Sequence, residues 1–115
     1  RALFWNDRAQ SVRDMILSKA WNAQKNSFAA SFGGAELDAS LMQMAEVGLI
    51  APDDPRFTAT LDAVGEHLRR GNHVFRYIGH DDFGTPTNAF NICTFWYIDA
   101  LKLNGRDDDA REVFT

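Results

Sequence analysis

Apolar residues recur at three- and four-residue steps along most of the chain, a spacing typical of helices that bury one face. Five segments show this spacing, and the second and fourth are the richest in apolar residues, which predicts that they are buried. The predicted helices cover residues 5–21, 36–48, 55–70, 88–103 and 106–115. Two shorter stretches, Ser27–Phe32 and Val74–Tyr77, are predicted to be extended. The pattern therefore predicts an all-α chain with four to five helices.

Polar residues, proline and glycine mark where these helices begin and end. Asp54 is expected to cap the third helix, because Pro55 suits the first helical position, where a missing N–H costs nothing. Gly71 is expected to end that helix, Asn88 to cap the fourth, and Asn104 with the following glycine to end it. The third and fifth helices begin with similar acidic sequences, a weak repeat that predicts successive helix hairpins. Helices two and four would form an inner layer, and helices one, three and five an outer layer.

Composition excludes several classes of function. The net charge of the 115 residues is −4, and the twelve lysines and arginines are scattered, so the basic surface of a nucleic-acid-binding protein is missing. No apolar run approaches the roughly 20 residues that span a bilayer. Cys93 is the single cysteine, which rules out an internal disulfide; a core position is favoured over a reactive thiol, and a cytoplasmic location fits. The histidines lack metal-ligand spacing, so we predict no metal and no cofactor.

The polar loop ahead of the fourth helix is the best candidate site. Arg76 directly precedes it, and its planar fork of donors suits vicinal sugar hydroxyls or a carboxylate. The structural alternative is a salt bridge to Asp38, Asp81 or Asp82 that only fixes the loop. Asp81 and Asp82 are adjacent carboxylates, for which sugar hydrogen bonding or loop structure is favoured over acid/base catalysis. Asp38 is either a helix cap or part of the same site.

Three blocks of sequence carry a family resemblance. The first is Gly-Gly-Ala-Glu-Leu-Asp-Ala-Ser-Leu at 33–41, and the second is Gly-Leu-Ile-Ala-Pro-Asp-Asp-Pro-Arg at 48–56. The third runs from Arg76-Tyr77 through the acidic loop to Cys-Thr-Phe-Trp at 93–96. In this order they resemble glycoside hydrolase family fifteen, which contains glucoamylases and trehalases. The resemblance implies a toroid of six inner and six outer helices, from which residues 1–115 would form one segment, an arc of helix hairpins.

The resemblance also implies an activity: inverting, exo-acting hydrolysis of an α-glucosidic bond in starch-like oligosaccharides or trehalose. By position, Arg76 would contact the non-reducing sugar, and Phe90 matches an aromatic residue that lines the sugar site, although a core role is also open. The residues expected in the sugar-binding wall are Arg76, Tyr77, Asp81, Asp82, Phe90 and Asp38. Residues 85–88 lack an acidic residue that many bacterial relatives have there, which leaves the sugar specificity open.

The catalytic residues of the resembled family are expected outside this chain. The family's general acid is a glutamate that follows a tryptophan, whereas the three tryptophans here are followed by Asn6, Asn22 and Tyr97. The family's general base lies on a later helix. We therefore expect an internal piece of a longer enzyme, inactive alone, whose open ends associate with the rest of the parent chain or with a second copy. Two alternatives are a non-catalytic helical-repeat interaction module and a fragment of an α/α-toroid polysaccharide lyase.

Overall fold

The computed structural model describes residues 1–79, 82 and 84–115. Four α-helices and one 3₁₀-helix form most of this part of the chain, joined by two small antiparallel hairpins. The α-helices are α1 (Ala2–Lys19), α2 (Pro55–Leu68), α3 (Asn91–Leu103) and α4 (Asp107–Phe114), and the 3₁₀-helix is Ala39–Gln43. Strand β1 (Trp21–Asn22) pairs with β2 (Ser27–Phe28), and β3 (Arg69–Arg70) pairs with β4 (His73–Val74). The predicted all-α class and the predicted number of helices are confirmed.

The prediction of an α-helix over residues 36–48 is wrong. Only the short 3₁₀-helix forms there, and turns follow it until Ile50. Gly48 has a φ of 77°, and the Leu49 N–H donates to the Met44 carbonyl at 2.9 Å, so the chain turns back instead of continuing. The segment is nevertheless buried, as predicted: Ala39, Leu41, Met42, Met44 and Ala45 all belong to the core. Its apolar spacing indicates that these side chains are buried, and successive turns can bury them as well as a helix can.

Two predicted helix ends are confirmed in atomic detail. Asp54 caps α2, with its Oδ1 accepting from the Arg56 N–H at 2.8 Å, and Pro55 is the first helical residue. Asn104 is the C-cap of α3, and Gly105 follows with a φ of 86°, a left-handed conformation that glycine adopts without strain.

Two other predicted ends are wrong. Helix α2 ends at Leu68, because Arg69 is already extended and begins β3. Gly71, with a φ of 62°, lies in the turn between β3 and β4, where the left-handed conformation is equally useful. Helix α3 begins at Asn91 with Phe90 in the cap position and no side-chain cap, so Asn88 does not start it.

The core lies where α2 and α3 pack on the buried segment around the 3₁₀-helix. The largest side chains that are fully enclosed include Phe28, Phe57, Leu61, Leu68 and Leu101. Helix α4 packs against α3, whereas α1 has no buried residue and contacts the core only through half-buried positions such as Ile16. The prediction that the fourth helix is buried is wrong, because α3 buries only Cys93, Tyr97, Ala100 and Leu101 and exposes Ile92 and Phe95. This exposure does match the expectation that an arc leaves inner-helix surface uncovered.

Close approach of α2 and α3 depends on Gly65. A Cβ at this position would lie 2.6 Å from the Tyr97 Oη, closer than real contacts allow. Tyr97 is 4% exposed, and burial raises the pKa of its phenol, opposed by the nearby Arg106 and Arg69 guanidinium groups. The predicted packing role of Tyr97 is therefore confirmed.

Candidate functional site

Three backbone contacts place Arg76 at the start of the candidate site. The Val74 N–H donates to the Thr94 Oγ1 at 3.0 Å, which fixes β4 against the first turn of α3. The next N–H, that of Phe75, donates to the Leu68 carbonyl at 2.9 Å, so the segment is also fixed to the end of α2. The Arg76 carbonyl then accepts from the Ala39 N–H at 2.8 Å. The backbone around Arg76 is thus held by three separate elements.

The Arg76 side chain pairs with Asp38. Its Nε lies 3.3 Å from the Asp38 Oδ1, and the same oxygen accepts from the Ser40 N–H at 2.9 Å. Asp38 is therefore both the cap of the 3₁₀-helix and the ion-pair partner of the arginine. The Arg76 side chain is 47% exposed and that of Asp38 is 21% exposed, so solvent reaches the pair. The salt bridge that the sequence offered as a structural alternative exists, and because it uses Nε, it leaves the two Nη groups to other contacts.

A cleft of about 480 Å³ opens beside this pair. Asp38 and Tyr77, both predicted site residues, lie in its wall. Three segments supply most of the lining: the chain before the 3₁₀-helix, the end of α2, and the residues that follow Arg76. The lining residues are Lys25, Ala30, Ala35, Glu36, Leu37, Asp38, His67, Leu68, Tyr77, Ile78 and Gly79. The volume falls in the range of about 300–1,000 Å³ that is common for small-molecule sites.

Arg76, Asp82 and Phe90 are not among the described residues that line the cleft. Asp82 is exposed on the loop after Gly79, and Asp81 lies outside the described residues. Phe90 is 57% exposed at the N-terminus of α3, so the alternative prediction of a core role for Phe90 is wrong. The structure therefore brings Asp38, Arg76 and Tyr77 together, and it presents Asp82 and Phe90 to solvent.

Cys93 lies beneath the ion pair and is 1% exposed. Burial raises the pKa of its thiol, which the Arg76 guanidinium opposes and the Asp38 carboxylate reinforces. Its burial confirms the predicted core position. A buried neutral thiol is also a poor nucleophile.

Sequence reasoning missed Lys25 and His67 as cleft residues. Lys25 lies in the turn of the β1–β2 hairpin and His67 in the last turn of α2, so both reach the cleft only through the tertiary fold. Asp38 caps the 3₁₀-helix, and the Oε1 of the nearby Glu36 lies 3.9 Å from where a Cβ on Gly79 would be. No local sequence signal links these three positions.

Comparison with known proteins assigns the chain to a family. The family described as glycosyl hydrolases family 15 matches residues 1–115. The chain belongs to glycosyl hydrolases family 15. This membership confirms the resemblance carried by the three sequence blocks. It also favours a glycosidase over the helical-repeat module and the lyase that the sequence left as alternatives.

Relatives of this family 15 chain include three trehalases. Those of Thermoplasma volcanium and Thermoplasma acidophilum are 31% and 32% identical over 95% and 93% of the chain, which covers 18% and 19% of their lengths. The trehalase of Mycobacterium tuberculosis is 31% identical over 95% of the chain, which covers 16% of its length. The chain thus spans less than a fifth of the curated relatives it matches.

A solved structure described as a wild-type glycosidase shares the fold, with a TM-score of 0.82 and 19% identity. It covers 93% of the chain, which in turn covers 28% of that structure. In the part of the family 15 chain that the structure describes, no helix has the length and apolar character needed to cross a membrane.

Proposed function

We propose that this chain is one segment of an inverting, exo-acting hydrolase of α-glucosidic bonds and that it supplies part of the sugar-binding wall. Family membership supports a glycoside hydrolase parent. The observation that carries the finer proposal is the Arg76–Asp38 pair, which lies beside a cleft of suitable size. The terminal Nη groups of a guanidinium are paired donors, and paired donors of this kind suit neighbouring sugar hydroxyls.

Within this wall, Arg76 and Tyr77 contact the sugar directly. Asp38 acts through Arg76, because its carboxylate already receives the Arg76 Nε and the Ser40 N–H. Phe90, exposed at the start of α3, offers an aromatic face on which a pyranose ring can stack. Asp82, exposed on the loop after Gly79, extends the wall, and Asp81 stays a predicted contact of the sugar.

The catalytic acid and base come from other parts of the parent enzyme. Inverting hydrolysis needs two carboxyl groups about 6.5–9.5 Å apart across the bond, one with a raised pKa. None of the tryptophans in this chain precedes a glutamate, the context in which the family's acid occurs. The 115 residues alone are therefore expected to be inactive.

Trehalose is the first substrate to test, because the curated relatives quoted above are trehalases. An α-linked glucose oligosaccharide is the second. Residues 1–115 would then act as one segment of the catalytic domain, with the remainder of the parent chain covering the exposed face of α3.

The experiment uses the full-length polypeptide that carries these residues. It is incubated with trehalose, maltose and a soluble α-glucan, and the first glucose released is identified by proton NMR before its anomers equilibrate. Inversion at the attacked carbon releases the non-reducing glucose of maltose or the glucan as the β-anomer. From trehalose it releases equal amounts of β- and α-glucose, because the leaving glucose keeps its α configuration. Release of the α-anomer alone would contradict inversion, and no release from any of the three sugars would contradict the proposed substrate class.

A further inference from the structure

The backbone N–H of Val74 needs an acceptor outside the hairpin that contains it. Hydrogen bonding alternates along an antiparallel pair, and the Phe75 N–H already donates across the pair to the Leu68 carbonyl at 2.9 Å. The neighbouring Val74 N–H therefore points away from β3. Val74 is completely buried, so bulk water does not reach it. The Thr94 Oγ1 on α3, 3.0 Å away, is the acceptor.

This hydrogen bond lies close to the Arg76–Asp38 pair. Arg76 follows Val74 by two residues, and because its carbonyl accepts from the Ala39 N–H, the short segment between them is fixed at both ends. Burial raises the pKa of the Cys93 thiol, and the Arg76 and Asp38 charges also act on it, so this turn of α3 lies near the pair. The position of the Arg76 backbone thus depends on α3 as well as on the 3₁₀-helix.

The same turn of α3 carries Phe90. The Phe90 carbonyl accepts from the Cys93 N–H at 3.1 Å and from the Thr94 N–H at 3.3 Å. No side chain caps this end of the helix, and helix ends fray. The hydrogen bond from Val74 fastens this turn to β4 instead. Thr94 is therefore joined to Phe90 through its N–H and to the Arg76 segment through its hydroxyl oxygen.

We propose that Thr94 is a positioning residue that holds Arg76 and Phe90, two of the proposed sugar contacts, at a fixed separation. This inference rests on the proposed function, since it needs a sugar that contacts both side chains. Thr94 does not touch the sugar and acts through its hydroxyl oxygen, whose loss leaves the buried Val74 N–H without an acceptor. A displacement of about 1 Å in a positioned group can cost on the order of a hundredfold in rate.

The test replaces the hydroxyl of Thr94 in the full-length enzyme. Thr94→Val keeps the shape of the side chain and removes the acceptor, so kcat/KM for the fastest disaccharide substrate should fall at least about fivefold. Thr94→Ser keeps the hydroxyl and should stay within about twofold of wild type. If Thr94→Val has no larger effect than Thr94→Ser, the hydroxyl has no positioning role. Thr94→Ala, which also lacks the acceptor, is judged by the same criteria should Thr94→Val fail to fold.

Thr60→Val is the matched control. The Thr60 Oγ1 on α2 accepts from the Phe28 N–H of β2 at 3.1 Å, the same kind of bond between a helix and a short strand, and Thr60 is completely buried. Thr60→Val should lower the melting temperature at least as much as Thr94→Val, yet leave kcat/KM within about twofold of wild type. Equal losses of kcat/KM in the two variants would show that destabilisation, and not positioning, explains the effect of Thr94.

A double-variant cycle with Arg76 separates this inference from the proposed function. Because Thr94 acts in part through Arg76, Thr94→Val should lower kcat/KM by a smaller factor in the Arg76→Ala background than in wild type. The same factor in both backgrounds would overturn the positioning of Arg76 by Thr94 and leave the sugar site intact. If Arg76→Ala alone stays within about twofold of wild type, the proposed sugar contact itself is wrong.

Discussion

Asp38 is predicted to act on the sugar site only through Arg76, and replacing it by asparagine tests this most sharply. Asparagine is as good a helix cap as aspartate, so Asp38→Asn keeps the hydrogen bond from the Ser40 N–H but removes the charge that pairs with Arg76. The alanine variant removes both. Comparing the two separates the cap from the ion pair.

The size of each effect follows from the geometry. The pair is solvent-accessible, with side chains 47% and 21% exposed, so it contributes about 0.2–1 kcal/mol. A lost cap costs about 0.5–2 kcal/mol. Asp38→Asn should therefore lower the free energy of unfolding by no more than about 1 kcal/mol, and Asp38→Ala by about 0.7–3 kcal/mol. Differential scanning calorimetry of the full-length protein should show stability decreasing from wild type to Asp38→Asn to Asp38→Ala.

The activity readout identifies Asp38 as a positioning residue. The ion pair that orients Arg76 contributes about 0.2–1 kcal/mol. If Asp38→Asn removes that contribution from substrate binding, kcat/KM should fall by up to about fivefold. Arg76→Ala should cost more, about tenfold or greater, because it removes hydrogen bonds from a charged donor. In the double variant, Asp38→Asn should add nothing to Arg76→Ala. If it lowers kcat/KM by the same factor in both backgrounds, Asp38 contacts the substrate independently and the reasoning is refuted.

Three further predictions concern the rest of the chain. Cys93, buried and with a raised pKa, should resist iodoacetamide in the native protein and react on unfolding; rapid native labelling of its peptide by mass spectrometry would contradict this. Phe57→Ala should destabilise the protein by about 3–5 kcal/mol in urea unfolding, while the 74%-exposed Val47→Ala stays within about 0.5 kcal/mol; equal effects would place Phe57 outside the core. Arg56 lowers the pKa of Asp54 below its ordinary 3.8, so the pair stabilises the fold above that pH and the contribution is lost as the pH falls further. The difference in stability between wild type and Asp54→Asn should therefore be present at pH 7 and be lost as the pH falls below 3.8 and through the lowered pKa of Asp54. A difference that persists once Asp54 is protonated would exclude this ion pair as its cause.

Local chemistry made some parts of the fold predictable from the sequence. Asp54 and Pro55 specify a helix start by their own hydrogen-bonding properties, and Asn104 with Gly105 specifies an end, so no tertiary information was needed. The short α4 was likewise indicated by its acidic first turn, which suits the helix dipole.

The failures lie where tertiary contacts decide. Residues 36–48 have helical apolar spacing, yet Asp38 is engaged by Arg76 and Gly48 turns the chain back toward Met44. Gly71 is compatible with both a helix end and a hairpin turn, and the pairing of Arg69 with Val74 selects the turn. Both choices depend on partners distant in sequence.

The candidate site was predictable only in part for the same reason. Arg76, Tyr77 and Asp38 were found because they lie in blocks that resemble a family. Glu36 lies in one of these blocks, whereas Lys25 and His67 lie in none, and only the packing of the β1–β2 turn and the end of α2 brings the three to one cleft.

The most direct test of the central claim is the specificity constant of Arg76→Ala in the full-length enzyme, measured on its fastest disaccharide substrate. Arg8→Ala is the matched control, because Arg8 is exposed on α1 and stacks on Phe4, far along the chain from the cleft residues. The account predicts that kcat/KM falls at least about tenfold for Arg76→Ala, with the melting temperature little changed, and stays the same for Arg8→Ala. A kcat/KM for Arg76→Ala within about twofold of wild type would contradict a sugar-binding role for this arginine.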